Sequence, residues 1–203
     1  MKDFALTDRY AGYTFLYSEF SQEIEELSRV IRQEQMPFYI YETYRTPQRQ
    51  KNLYIRGNSK IRDPFNSPHV HGLAVDILLN KGMLTNLSGD SKKISDIVEN
   101  SLQNMQKEKT KNEIYNIGTN FLPSEGILER TQVQDKNVLN AWLKLGHLIA
   151  TKFPKLVWGG DKNKKQGQLI GADPPHIQFR DAERLMRNKK AIMEIKKAGA
   201  PGL

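Results

Sequence analysis

Ser67-Pro68-His69-Val70-His71-Gly72-Leu73-Ala74-Val75-Asp76, running on into Ile77-Leu78-Leu79, is the stretch on which fold and chemistry both turn. Residues 73–79 are apolar at every position but one, the pattern of a buried strand. Strand alternation sends Leu73, Val75, Ile77 and Leu79 to one face, and Ala74 and Asp76 to the other. A lone aspartate there is costly to bury unless it is paired or holds a metal. Ala74 is small and leaves room beside it. His69 and Asp76 are an odd number of residues apart, so one unbroken strand would aim them at opposite faces. Gly72 can supply a bend or bulge that reunites them.

A second stretch, Asp173-Pro174-Pro175-His176, pairs another acid with another imidazole. Two successive prolines exclude a helix interior and favour an extended or polyproline path. Polyproline has about three residues per turn, which would bring Asp173 and His176 to one side. His176-Ile177-Gln178-Phe179 then alternates as a half-buried strand does. His69, Asp76 and His176 together make a zinc-type ligand set. Three protein ligands leave a fourth tetrahedral position open for water, the catalytic rather than the structural arrangement. Asp173, three residues before a proposed ligand, stands where a general base for that water would sit.

These residues carry a family resemblance. The pattern Ser67-x-His69-x-x-Gly72-x-Ala74-x-Asp76 resembles the first signature of the zinc D,D-peptidase and L-alanyl-D-glutamate peptidase family of peptidoglycan hydrolases, and Asp173-x-x-His176 resembles its second. Tyr44-Arg45-Thr46-Pro47, with Gln50 and Tyr54, is similar to the family's upstream arginine segment. Trp158-Gly159-Gly160-Asp161 is similar to a tryptophan-glycine stretch of the L-alanyl-D-glutamate branch, which includes phage endolysins. The resemblance spans roughly residues 37–80 and 138–180. The chain departs from the pattern in a lysine-rich stretch between Trp158 and Asp173 and in a large insertion at residues 81–135.

The resemblance implies an α+β fold of the Hedgehog/D-Ala-D-Ala peptidase type, a small antiparallel sheet with helices packed on it. It implies one catalytic Zn²⁺ on His69, Asp76 and His176. Asp173 would take the water proton and deliver it to the leaving amine, and Arg45 would steady the oxyanion. The implied substrate is bacterial peptidoglycan, cut at the L-alanyl-D-glutamate bond by an endolysin or a virion-borne lysin that would contact phage tail proteins. Two alternatives stand beside it: a D-alanyl-D-alanine carboxypeptidase or dipeptidase, and a non-catalytic wall-binding virion module on the same fold. A carboxypeptidase needs a cationic pocket for the terminal carboxylate. Arg45 is already assigned, and Arg49, Arg56 and Arg62 lie nearby in sequence.

Each remaining residue has a plainer reading next to the functional one. Arg45 also suits a structural ion pair. Ser67 either hydrogen-bonds substrate or a ligand, or caps a turn. His71 lines the substrate groove or packs. Trp158 stacks on substrate or packs in the core. His147 shares a helical face with Asn140, Lys144 and Thr151, and reads as solvated.

At 203 residues the chain is long enough for one domain, elaborated by the insertion at 81–135. The absence of cysteine excludes disulfides and thiolate metal sites. No apolar run reaches membrane-spanning length, and Met1-Lys2-Asp3-Phe4-Ala5 shows no signal-peptide core. Release from the host cytoplasm through a membrane lesion, or carriage in a phage particle, would then bring the enzyme to the wall. The net charge is +8, and residues 180–203 hold seven Lys/Arg against three acids, a local +4. Such a face suits anionic wall polymers or plain solvation. With no nucleic-acid motif alongside, nucleic acid ranks low as a partner.

Apolar spacing predicts a helix over residues 15–33 through Phe20, Ile24, Leu27 and Ile31. A strand follows at 37–41, then a helix opened by Pro47 and running to Ile55. Further helices are expected over 92–109, over about 135–152 with Val138, Trp142, Leu145 and Ile149 inward, and over 181–198. Residues 110–134, with Gly118, Pro123 and Gly126, read as a loop-rich excursion.

Overall fold

The structure, a computed structural model, describes residues 9–80, 136–161, 170 and 173–203. The insertion at 81–135, with its expected helix and loop, falls outside them, as do residues 1–8 and the lysine-rich stretch 162–169. The architecture is α+β. Among the described residues four strands form one open antiparallel sheet: β1 (Phe38–Glu42), β2 (Ala74–Leu79), β3 (Leu156–Trp158) and β4 (His176–Phe179), in the order β1-β2-β4-β3. Helices α1 (Ser18–Gln33), α2 (Pro47–Ile55), α3 (Lys136–Lys152), α4 (Ala182–Arg187) and α5 (Lys190–Lys197) pack around it. None of them is long and apolar enough to cross a membrane.

The alternation of β2 divides the molecule. Leu73, Val75, Ile77 and Leu79 join the main core with Phe20, Ile24, Leu27 and Ile31 of α1 and Val138, Trp142, Leu145 and Ile149 of α3. Burying each such side chain contributes about 1.5–3 kcal/mol, so this face anchors the sheet. The opposite face of β2 carries Asp76. Cross-strand register sets Asp76 opposite His176 of β4 on one side and opposite Glu42 of β1 on the other.

Local signals explain the helix ends. Pro47 opens α2, and the Thr46 side chain accepts from the Arg49 N–H at 3.1 Å, an N-cap that satisfies one orphan donor. At α1 the same task falls to a distant residue, since the Ser18 N–H donates to Glu194 of α5 at 2.8 Å. The single helix expected over 181–198 is two. Lys189 is left-handed at φ 58°, and the Asn188 side chain accepts from the Lys190 N–H, a local bond that competes with helix continuation. The basic segment is thus a pair of short helices. Arg180 just before them is committed to the carbonyls of Pro154 and Leu156.

Gly72 performs the reversal expected of it by another route. His69 does not lie on a bulged strand. It sits on a 3-10 turn, Pro68–His71, that Gly72 ends at φ 64°. A Cβ on Gly72 would lie 2.4 Å from the carbonyl oxygen of Phe15. Left-handed strain and this clash together should make Gly72→Ala less stable by about 2–5 kcal/mol, a loss that denaturant unfolding would measure. Wild-type stability in that variant would show that the turn is not held by this close approach.

Candidate metal centre

Three elements converge on the polar face of the sheet. The Pro68–His71 turn presents His69, the middle of β2 presents Asp76, and the start of β4 presents His176. One atom from each lies within 4.8 Å of the others. Asp76 Oδ1 is 3.3 Å from His69 Nε2 and 3.4 Å from His176 Nδ1. Ligand atoms on a tetrahedral zinc, at its usual bond lengths, are separated by about 3.3–3.4 Å. The two distances to Asp76 therefore suit a metal ion of that size, and the two imidazole nitrogens lie within 4.8 Å of each other.

The far side of every ligand is also occupied. His69 Nδ1 lies 3.0 Å from the Thr43 carbonyl, which fixes the proton on Nδ1 and leaves Nε2 as the donor atom. His176 Nε2 lies 3.1 Å from Gln178 Oε1, which leaves Nδ1. Asp76 Oδ2 accepts from Arg45 Nη2 at 2.9 Å, which leaves Oδ1. Outer partners of this kind orient metal ligands and raise their basicity. Thr43 and Gln178 had drawn no attention in the sequence, although Gln178 is two residues along a strand from His176 and so on its face.

Burial alone would push the Asp76 carboxyl up. His69, His176 and Arg45 outweigh it and hold Asp76 well below the usual carboxylate range. Burial opposes charge on His176 as well, but the neighbouring Asp76 raises its pKa above the ordinary imidazole value. In the metal-free protein the proton on Nδ1 thus persists above pH 6.5, and a metal must displace it. Apparent Zn²⁺ affinity should climb between pH 6 and pH 8, with proton release, in metal titrations at both pH values. A pH-independent affinity would remove His176 from the ligand set.

Asp173 lies within electrostatic reach of His176, Asp76, His69 and Arg45, and burial raises its carboxyl above the ordinary value. The expected polyproline path is absent. The His176 N–H donates to the Asp173 carbonyl at 3.1 Å, closing a four-residue turn over the two prolines. Trp158 holds this turn, since its indole N–H donates to the Pro174 carbonyl at 2.7 Å. Gly159 lets the backbones meet, because a Cβ there would lie 2.2 Å from the Asp173 carbonyl oxygen. Trp158 is 2% exposed. It buttresses the turn from within the core and offers no surface for substrate stacking.

Two further expectations are redrawn. His71 is buried and its Nε2 bonds the Phe65 carbonyl at 2.8 Å, so it pins the loop before the turn rather than lining a groove. Burial depresses its pKa, in keeping with a neutral ring. Ser67 is fully buried, and its Oγ neither caps the Pro68–His71 turn nor meets another partner among the described residues. Arg45 sits at the site as expected, but as a ligand clamp. Its guanidinium donates to Glu42, Gln50 and Asp76. Exposed His147 is away from the cluster on α3.

No protein-family model matches this chain, and no curated protein matches it. Among solved structures the chain is similar to the LdcB LD-carboxypeptidase, whose structure is described as revealing the molecular basis of peptidoglycan recognition. The two share 16% identity over 90% of this chain and 69% of that one, with a TM-score of 0.36.

Proposed function

We propose that the protein is a zinc-dependent peptidoglycan peptidase that cuts the bond between L-alanine and D-glutamate in the stem peptide. The observation that carries the hydrolase reading is the convergence of His69, Asp76 and His176, each with its second polar atom already engaged, beside a half-buried carboxylate, Asp173, that is not part of the set. A structural zinc site closes with a fourth protein ligand, whereas a catalytic one keeps a position open. A binding module would need neither the open position nor Asp173. The peptidoglycan substrate is supported by the two sequence signatures.

Zn²⁺ bound there supplies Lewis acidity, which polarises the scissile carbonyl and acidifies water. Asp173 takes a proton from the attacking water as the C–O bond forms. It returns that proton to the departing amine as the C–N bond breaks. Its raised pKa makes it a stronger base toward that water than an ordinary carboxylate. Arg45 keeps Asp76 aimed at the centre, and its positive charge offsets the charge that gathers on the carbonyl oxygen.

The choice of an internal bond over a terminal one is supported by the arginines. A carboxypeptidase needs a guanidinium free to pair with the terminal carboxylate. Arg45 is engaged by Glu42, Gln50 and Asp76, and Arg49 donates to Glu42, so neither arginine nearest the centre is such a guanidinium, while Arg56 and Arg62 are exposed. Attachment to anionic wall polymers falls to the basic pair α4 and α5. Digestion of purified peptidoglycan, read by mass spectrometry, should yield stem peptides with a new N-terminal D-glutamate and glycan strands ending in L-alanine. Release of free D-alanine alone would overturn the bond assignment, and intact muropeptides with zinc bound would overturn catalysis.

A further inference from the structure

Among the described residues, Glu42 is the buried carboxylate beside the centre that is neither a proposed ligand nor the proposed base. It is 2% exposed. It lies on β1, and a register shift between Ile40 and Glu42 is what brings it opposite Asp76. Ile40 pairs with Ile77, which faces the core. In a regular ladder the next residue, Tyr41, would stand opposite Asp76. The bulge inserts Tyr41 and moves Glu42 into that place, so that Glu42, Asp76 and His176 lie side by side across three strands. Bulges commonly re-aim a side chain in this way.

The bonds of Glu42 show what the re-aiming achieves. Its Oε2 accepts from Arg45 Nε at 3.1 Å and from Arg45 Nη2 at 2.6 Å, and its Oε1 accepts from Arg49. The same Nη2 donates to Asp76 Oδ2. On the other side, Arg45 Nη1 donates to Gln50 Oε1 at 2.8 Å. Gln50 is itself fixed by its amide, which donates to Ser59 Oγ and to the Ile61 carbonyl. Arg45 is thus gripped from two directions and has one orientation. A flexible arginine would let the Asp76 carboxylate rotate, and Oδ1 would no longer face both imidazoles.

We infer that Glu42 is a positioning residue of the metal centre: it locks Arg45, and through Arg45 it sets the orientation of the Asp76 ligand. The inference rests on the proposed metal site and adds to it a residue with no contact to the ion. The contrasting possibility is a carboxylate that only stabilises the fold by neutralising buried Arg45 and half-buried Arg49. The two differ in what the ion experiences.

The test is Glu42→Gln in the full chain. One amide oxygen cannot serve both arginines, since the –NH₂ group would face one of them. Two quantities are measured: Zn²⁺ affinity by competition with a chromophoric chelator, and the visible absorption of the Co²⁺-loaded protein. Loss of an outer-shell partner typically costs about 10- to 100-fold in metal affinity, and that loss is expected here, with an altered Co²⁺ spectrum. Arg49→Gln removes a partner of Glu42 and leaves the Arg45 bonds in place. It should keep near wild-type affinity even if it lowers the melting temperature. Should Glu42→Gln fail to fold, Gln50→Met removes the opposite grip on Arg45 and is expected to weaken metal binding in the same sense. Wild-type affinity and spectrum in whichever of these two folds, together with metal loss in His176→Ala, would overturn the role of Glu42 and leave the centre intact. A wild-type protein that binds neither Zn²⁺ nor Co²⁺ would overturn the metal site and this inference with it.

Discussion

Asp173→Asn is expected to keep the fold and the bound metal while losing about a hundred- to ten-thousand-fold in turnover on purified peptidoglycan, the usual worth of a general base. The amide is nearly isosteric with the carboxylate, and the bond that closes the turn over Pro174 and Pro175 uses the Asp173 backbone carbonyl, not its side chain. The substitution therefore leaves the positioning of His176 untouched. What it removes is the ability to accept a proton from water and pass it to the leaving amine. Metal content by atomic spectroscopy and turnover should separate cleanly. If the variant turns over at a near-normal rate, another group is the base. If it loses its metal as well, Asp173 belongs to the ligand shell.

His176→Ala should have the largest effect on the metal itself. Structural zinc sites with four ligands bind with apparent free energies of about 10–16 kcal/mol, so an equal share per ligand is roughly 2.5–4 kcal/mol, or about two to three orders of magnitude in affinity. His176 opens β4, and its backbone pairing with Asp76 does not depend on the imidazole. The strand should survive, so the loss of affinity should appear in a protein with a native circular dichroism spectrum. Activity should fall with metal content. Stoichiometric zinc, held as tightly as in the wild type, would take His176 out of the centre.

The residues of the centre were legible in the sequence because their chemistry is costly in any other setting. An aspartate inside an apolar strand, and two histidines each in a short motif with an acid, have few stable explanations other than a partner or an ion. Periodicity likewise located α1, β1, β2, α3 and β4, since each buries one face against the same core, whereas α2 was marked by Pro47 at its start. Trp158 shows where such reading stops. A tryptophan next to two glycines suits stacking or packing equally well, and only the approach of β3 to the Asp173–His176 turn decides for packing.

The same limit applies to Arg45, Glu42 and Gln178. Glu42 is separated from Asp76 by more than thirty residues, and no spacing rule links them. The two meet because a bulge in β1 changes which side chains share a face, and a bulge leaves no mark in hydrophobic alternation over so short a strand. Arg45 could be foreseen at the site, but whether it serves substrate or ligand depends on which acceptors stand within 3 Å of it. The two turns show the reverse case. Gly72 and the Pro174-Pro175 pair announce a change of direction by their backbone limits alone. The kind of turn is set by the hydrogen bonds that the rest of the fold makes available. Sequence thus determined which groups had to find partners, because burial penalties act on residue types. Tertiary structure decided which partners they found, because hydrogen bonds and ion pairs act only at contact.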